Sequence, residues 1–292
     1  MIKFGPEGWI ARISEEFTFE NVIKVGRAIA VYLLSREQGD KPFLVSYDTR
    51  FQAERFALEI VKVLEAAGIN VLLTERDTPT PIVAWETVDK RAAGAVMVTA
   101  GSHGAQFSGL KFIKPGGAVC LTDCVREIET YLFLERSGSG GVNLPHDKLL
   151  RYQAAASQIG RVARGKVERF EPRERYFGYL SAQVSQARSR PLIVVDPQFG
   201  SARGYVDLFL QRLGCRVEER HGHRDVLFGG REPGLTEQHL AELKAKVLER
   251  KADCGLAFNS DASAYALIDR SGGFHAGAEA VDPILAALRA IM

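Results

Sequence analysis

Short, unbroken apolar runs alternate along this chain with amphipathic stretches of helical length, and that alternation limits the folds open to it. The runs are Phe43–Tyr47, Asn70–Leu73, Ala92–Val98, Leu192–Val195, Cys215–Glu218, Gly255–Phe258 and Tyr265–Ile268. Continuous apolar runs fit strands covered on both faces, as in parallel sheets. Between them, Phe19–Leu34 keeps Val22, Ile23, Ile29, Tyr32 and Leu33 at helical spacing, and Arg55–Ala67, Tyr205–Leu213, Glu237–Arg250 and Ala278–Ile291 behave alike. Gly68 and Gly214 follow two of these stretches directly, where a helix stop is expected. Strand–helix alternation predicts an α/β fold: two α/β/α three-layer domains with mixed, mostly parallel sheets.

The alternation breaks at Ser137–Asp147, S-G-S-G-G-V-N-L-P-H-D, which reads as a linker or long loop. We divide the 292 residues into a first domain over 1–140, a linker and connecting helix over 141–172, and a second domain over 173–292 that includes the start of a following helix. Each half carries a helix end, a tight glycine turn and a strand, at A-A-G-I-N-V-L-L and at R-L-G-C-R-V-E-E, a hint of internal duplication. Lys+Arg total 38 against Asp+Glu 36, so charge offers no reason to expect nucleic acid or an anionic membrane as partner. No apolar run is long enough to span a bilayer, and the opening M-I-K-F-G-P-E-G-W-I lacks the apolar core of a signal peptide, so a cytoplasmic protein is expected. Cys120 and Cys124, as C-x-x-x-C, are a weak zinc signal, and Cys215 and Cys254 in their apolar runs read as small buried hydrophobes in a reducing cytosol.

In open α/β sheets ligands sit beyond the C-terminal ends of the strands, so the loops there are the candidates for chemistry. After Phe43–Tyr47 comes Asp48-Thr49-Arg50, where Asp48 suits a helix cap and Arg50 a phosphate contact, or simply a solvated surface. After Ala92–Val98 comes a loop with Thr99–Gly104, T-A-G-S-H-G, small enough for a ligand to approach backbone amides. In it Ser102 is a candidate nucleophile or phosphate carrier, His103 its base, and Lys111 a cation for a transferring phosphoryl group; a plain glycine-rich turn is the competing reading. After Gly255–Phe258, Asn259, Asp261 and Ser263 fall on alternate positions as candidate ligands of a hard cation, but with a single charge, so an ordinary polar turn between strands competes here too. Arg76–Pro81, R-D-T-P-T-P, reads as a rigid extended turn.

Taken in order, these loops resemble the α-D-phosphohexomutase family, the phosphoglucomutases and phosphomannomutases. The resemblance runs through F-G-P-E-G-W at Phe4–Trp9, F-T-F-E-N-V at Phe17–Val22, Y-D-T-R at Tyr47–Arg50 and T-P-T-P at Thr78–Pro81. It continues through G-L-K-F ending at Phe112, V-V-D-P at Val194–Pro197, L-F-G-G-R-E-P at Leu227–Pro233 and G-L-A at Gly255–Ala257. It implies the first two of four domains, interconversion of phosphorylated hexoses through a phosphoserine, and Mg2+ as cofactor. It also implies that Lys111 is the family's active-site lysine.

The departures fall on the chemistry. Against the family's T-A-S-H-N-P, Gly101 stands at the serine, Ser102 at the histidine and His103 at the asparagine; shifting the loop makes Ser102–His103 the Ser-His pair but leaves the distance to G-L-K-F one residue short. Against D-G-D-A-D-R, Asn259 and Ser263 replace two of three aspartates, Ala264 replaces the arginine, and Ile10 stands where the family has another arginine. Magnesium would gain little from one remaining carboxylate. The expectation is a relative that has lost mutase catalysis and keeps its scaffold for binding a phosphorylated hexose or other anion, or for assembly. In the latter case a second copy or a partner protein would cover the surface near Ala278–Ile291. The alternative is an active mutase using Ser102, within this chain or a longer one.

Overall fold

A computed structural model describes residues 2–6, 8–120, 123–137, 144–187, 189–277, 280 and 282–292. The apolar runs become strands whose successive side chains serve two different cores. The first sheet combines β1 (Trp9–Arg12), β2 (Phe43–Tyr47), β3 (Val71–Thr74), β4 (Gly94–Val98), β5 (Phe107–Ile113) and β6 (Val167–Phe170) in the order β1-β5-β4-β2-β3-β6. Its helices are α1 (Phe19–Ser35), α2 (Ala53–Ala66), α3 (Thr80–Asp89), α4 (Asp123–Ser137) and α5 (His146–Gln158). Phe43, Val45, Val96 and Val98 pack with buried residues of α1, α2 and α4 on one face, while Leu44, Ala95 and Met97 pack with Val83 and Ala84 of α3 on the other. Period-two alternation between two covered faces is what makes a strand apolar throughout.

The second half repeats the arrangement. It consists of α6 (Arg173–Ser181), β7 (Leu192–Asp196), α7 (Val206–Arg212), β8 (Arg216–Glu219), α8 (Ala241–Arg250), β9 (Cys254–Phe258), β10 (Tyr265–Asp269), β11 (Phe274–Ala276) and α9 (Pro283–Ile291). The strand order is β11-β10-β9-β7-β8. Ile193, Val195, Leu256 and Phe258 face the core shared with α6, α7 and α9; Val194 and Ala257 face α8. In both sheets a parallel trio (β4-β2-β3, β9-β7-β8) continues through an antiparallel neighbour (β5, β10) to an antiparallel edge strand (β1, β11). The four strands β5-β4-β2-β3 are matched in topology by β10-β9-β7-β8, while the edge strand β1 precedes its set in the chain and β11 follows its own.

Several expectations change. The loop expected after β4 is short: from Phe107 the chain is already in β5, so Lys111 projects from a strand paired with β4 through Met97. Thr80, placed in a rigid turn, starts α3, whose first turn holds Pro81, where a proline's missing N–H costs nothing. Val167–Phe170, inside the span read as a connection, pairs with β3 as the far edge of the first sheet. Cys120 and Cys124 are joined in a disulfide, and Cys215 is a buried free thiol. Residues 138–143 of the expected linker, and Ala278, Glu279 and Val281 of the last expected helix, lie outside the described residues; α9 begins at Pro283, capped by the Asp282 carboxylate, which accepts from Leu285 N at 3.0 Å. Among the described residues no helix is long and apolar enough to cross a membrane.

Candidate functional site

Three loops leave the C-terminal ends of parallel strands and meet between the sheets: 48–52 after β2, 99–106 after β4, and the β9–β10 turn 259–264. Their contacts are polar and largely withdrawn from water. Asp48, expected to cap α2, does not; Gln52 stands at that cap, and the Asp48 carboxylate instead turns back on Arg50, accepting from its backbone N at 3.0 Å and its Nε at 3.1 Å. Thr99 Oγ1 adds a third hydrogen bond at 2.8 Å. Burial pushes the Asp48 carboxyl above its ordinary range, and the neighbouring Arg50 charge with these hydrogen bonds pulls the other way.

Arg50, fully buried, spends its guanidinium on the loop across from it. Its Nη1 donates to the carbonyls of Gly104 (2.8 Å) and Phe107 (3.0 Å), and its Nη2 to those of Gly101 and His103 (both 2.7 Å) and to Ser260 Oγ (3.2 Å). The Phe228 ring lies 5.0 Å from its central carbon. Ser260, which sequence reading passed over, is the bolt between the halves: its Oγ lies 3.0 Å from Asp48 Oδ2 and 2.7 Å from Gly101 O, and the residue is fully buried.

Beside it, Lys111 and Asp261 form an ion pair with Nζ 2.7 Å from Oδ2. Asp261 is saturated. Thr80 Oγ1 also donates to Oδ2 at 2.9 Å, while Oδ1 accepts from the Ser263 hydroxyl at 2.7 Å and the Ser263 amide at 3.2 Å. Thr80 N donates to the Asp261 carbonyl at 2.8 Å. Burial alone would raise this carboxyl; the Lys111 charge and the hydrogen bonds from Lys111, Ser263 and Thr80 outweigh burial and hold it well below the usual carboxylate range. Lys111 gives its second contact to Ser263 Oγ at 3.3 Å. Asn259 uses Nδ2 toward Ser263 Oγ (3.1 Å) and Ser102 Oγ (3.4 Å), and its Oδ1 accepts from Ala264 N at 3.1 Å.

Ser102 is exposed at the rim. His103 is partly buried, with Nδ1 2.9 Å from Ala100 O and its ring edge-on to Phe107. Gly101 has φ +54°, and a Cβ built on it would lie 3.5 Å from Lys111 Nζ and 3.7 Å from Asn259 Nδ2. A side chain at position 101 would therefore point into the ion pair, but the residue there has none.

Asn259, Asp261 and Ser263 do come together, yet they do not suit magnesium. A hard cation needs several free oxygens, carboxylates above all. Asp261 is the sole carboxylate among the three, both its oxygens are taken, and Asn259 Oδ1 faces a backbone amide. Among the described residues no group of three or more His, Cys, Asp or Glu side chains is placed to hold a metal ion.

A second contact zone binds the halves lower down. Arg203 Nη2 pairs with Asp77 Oδ1 at 2.9 Å, both nearly buried, and Arg76 Nη2 donates to the Arg203 carbonyl at 3.1 Å. Thr78 and Tyr205 hydroxyls lie 3.4 Å apart. R-D-T-P-T-P thus makes contacts between the halves as well as a rigid turn.

The family model for the phosphoglucomutase/phosphomannomutase α/β/α domain I matches residues 1–138, and that for domain II matches residues 174–273. A phosphoglucomutase/phosphomannomutase of Thermococcus kodakarensis is 27% identical over 278 residues, 94% of this chain and 56% of that protein. A phosphoglucosamine mutase of Rhodococcus jostii is 29% identical over 284 residues, 97% of this chain and 59% of that protein. The structure of a phosphoglucomutase/phosphomannomutase family protein from Burkholderia thailandensis superposes with a TM-score of 0.78 at 19% identity, over 94% of this chain and 56% of the other, a likeness of fold. The chain spans a little over half the length of these relatives.

Proposed function

Because the chain belongs to the phosphoglucomutase/phosphomannomutase family through its first two α/β/α domains, we propose that its interdomain site binds the phosphate of a phosphorylated hexose without taking the phosphoryl group onto the protein. The observation that carries this reading is at Gly101. A side chain at position 101 would reach toward Lys111 Nζ and Asn259 Nδ2, and glycine brings no hydroxyl there; of the hydroxyls that do reach this corner, Ser263 Oγ is held by Asp261 and Ser102 Oγ approaches Asn259 Nδ2 only to 3.4 Å. Lysine has three N–H donors; Asp261 and Ser263 take two, leaving one for a ligand above Gly101. Arg50 in this reading clamps the 101–107 loop and does not touch the ligand, since its donors are already on loop carbonyls. Relatives named as phosphoglucosamine or phosphoglucomutases support a phosphosugar as the ligand class.

The charges of Lys111 and Asp261, and of Arg50 and Asp48, cancel pairwise, so little net field draws an anion in. Binding is accordingly weak, on the order of millimolar. Isothermal titration of glucose 6-phosphate into the full chain in EDTA tests this. Saturable binding, weakened about tenfold or more in Lys111→Met, is expected, as for loss of a charge-assisted hydrogen bond. Binding equal in the variant, or none in the wild type, would contradict it.

An active mutase is the second reading. It is favoured by the exposure of Ser102 and by the 3.4 Å contact of its Oγ with Asn259. Its nucleophile would have to act from the rim with Lys111 committed to Asp261.

A further inference from the structure

We infer that the second domain carries a separate oxyanion site at the C-terminal ends of β7 and β8, built from Arg220 and Arg231 and kept shut by the Glu242 side chain; its ligand is a phosphate group, free or on a small ester. The inference does not rest on phosphate binding beside Lys111. Asp196 ends β7 and Arg220 directly follows β8, where parallel strands present their ligand-binding loops. The Asp196 carboxylate, 5% exposed, accepts from Gln198 N and from His221 Nδ1, both at 2.9 Å. Because Asp196 takes the Nδ1 proton, Nε2 of the neutral ring accepts from Arg231 Nη2, 3.4 Å away, and orients that guanidinium. Four residues lining this recess, Gln198, Phe199, His221 and Phe228, hold left-handed backbone (φ between +47° and +60°) without being glycine. Such strain persists only where the surroundings enforce it, and it gathers at binding sites.

The donors there are not used up. Each guanidinium has five N–H groups. Among the described residues Arg220 makes one hydrogen bond, Nη2 to Glu242 Oε2 at 2.6 Å; its buried Nε lies 3.8 Å from Asp196 Oδ2, beyond hydrogen-bond reach. Arg231 makes two, Nη1 to Glu242 Oε1 at 2.9 Å and Nη2 to His221. Both guanidinium groups thus converge on one carboxylate in the first turn of α8, where the helix dipole favours an anion. Glu242 is the movable member. Its side chain is 56% exposed, and ion pairs this open to water contribute little stability, so an anion from solution competes with it. With Glu242 in place the recess admits no more than about one water, so a ligand must displace that side chain. A carboxylate offers two oxygens, and Glu242 already fills that role; a phosphate offers a third to the unused N–H groups. Buried Asp196 and exposed Glu232 at the rim add negative charge, which keeps the affinity low.

Titration of the full chain with inorganic phosphate at constant ionic strength, followed by NMR of the histidine rings, tests this. The His221 resonance is assigned by its loss in His221→Gln, and that of His103, in the loop beside Lys111, by its loss in His103→Gln. The His221 resonance is expected to shift saturably, about tenfold or more tightly in Glu242→Ala than in the wild type, and to stop responding in Glu242→Ala/Arg231→Gln. Acetate is expected to leave it unmoved. Both altered side chains are exposed, and unchanged thermal midpoints show that the variants stay folded. Glucose 6-phosphate in place of phosphate separates the two sources: equal affinity assigns the phosphate group alone, tighter binding an ester, and either supports the site. A His221 resonance indifferent to phosphate in Glu242→Ala would overturn the inference, as would a response that survives Arg231→Gln or is matched by acetate. A shift confined to His103 would place phosphate beside Lys111 alone and overturn it equally.

Discussion

At the scale of single residues, the site is a set of buried charges each answered by a named partner. Asp261 gives a pH signature. Its carboxyl titrates below the ordinary value in the folded protein, so the stability it contributes is present above the unfolded carboxylate pKa, about 3.9, and is lost as pH falls below that. Urea unfolding between pH 6 and 2.5 should therefore show the wild type losing stability more steeply below about pH 4 than Asp261→Asn. Parallel curves for the two proteins would mean that the Lys111 pair does not hold the charge. The residues of this site were unevenly legible in the sequence. Lys111, Asp261 and Ser102 stand in stretches whose pattern marks them. Ser260 does not: its importance comes from reaching Asp48, 212 positions away, and nothing local to the turn signals it. Arg50 was visible as a cation at a strand end, but its direction, into the carbonyls of a facing loop, depends on packing that a linear pattern does not encode.

At the scale of elements, the strands buried on both faces were readable because both covering layers demand apolar side chains at every position. Two strands were missed for different reasons: β6 is an edge strand with three exposed residues, whereas β5 is buried along nearly all its length but carries serine, glycine and lysine, which break the apolar run. Gly109 in β5 shows why the small residue is there. A Cβ would come 2.5 Å from Trp9 O and 2.6 Å from Thr99 O, two carbonyls of neighbouring backbone that cannot both move away. Gly109→Ala should cost about 1–3 kcal/mol or more by denaturant unfolding, since overpacking here meets backbone and not a flexible side chain. An unchanged midpoint would mean the β1–β5 register differs from the pairing of Ile10 with Gly109. The boundaries of the expected helices shifted by a few residues, as at α8, where Glu237–Leu240 are not yet helical and the helix begins at Ala241.

At the scale of the whole molecule, two sheets of like topology bring their strand ends together, and the loops there interlock instead of lining an open cleft. Asp48, Arg50, Ser260 and Asp261 are all withdrawn from solvent, while Ser102 remains at the surface. The family scaffold is thus kept, with Gly101 beside Lys111 and Asn259 and the Lys111 ammonium paired with Asp261. The fold could be anticipated because periodicity and motif order agree along both halves. The state of the site could not, because it depends on which of two neighbouring residues, Gly101 or Ser102, faces Lys111, and only the geometry of the 99–106 loop decides that. The most direct test of the central claim is the intact mass of the protein before and after incubation with glucose 1,6-bisphosphate and magnesium. The account predicts no change. A single added phosphoryl group, absent in Ser102→Ala, would contradict it and make Ser102 the phosphate carrier.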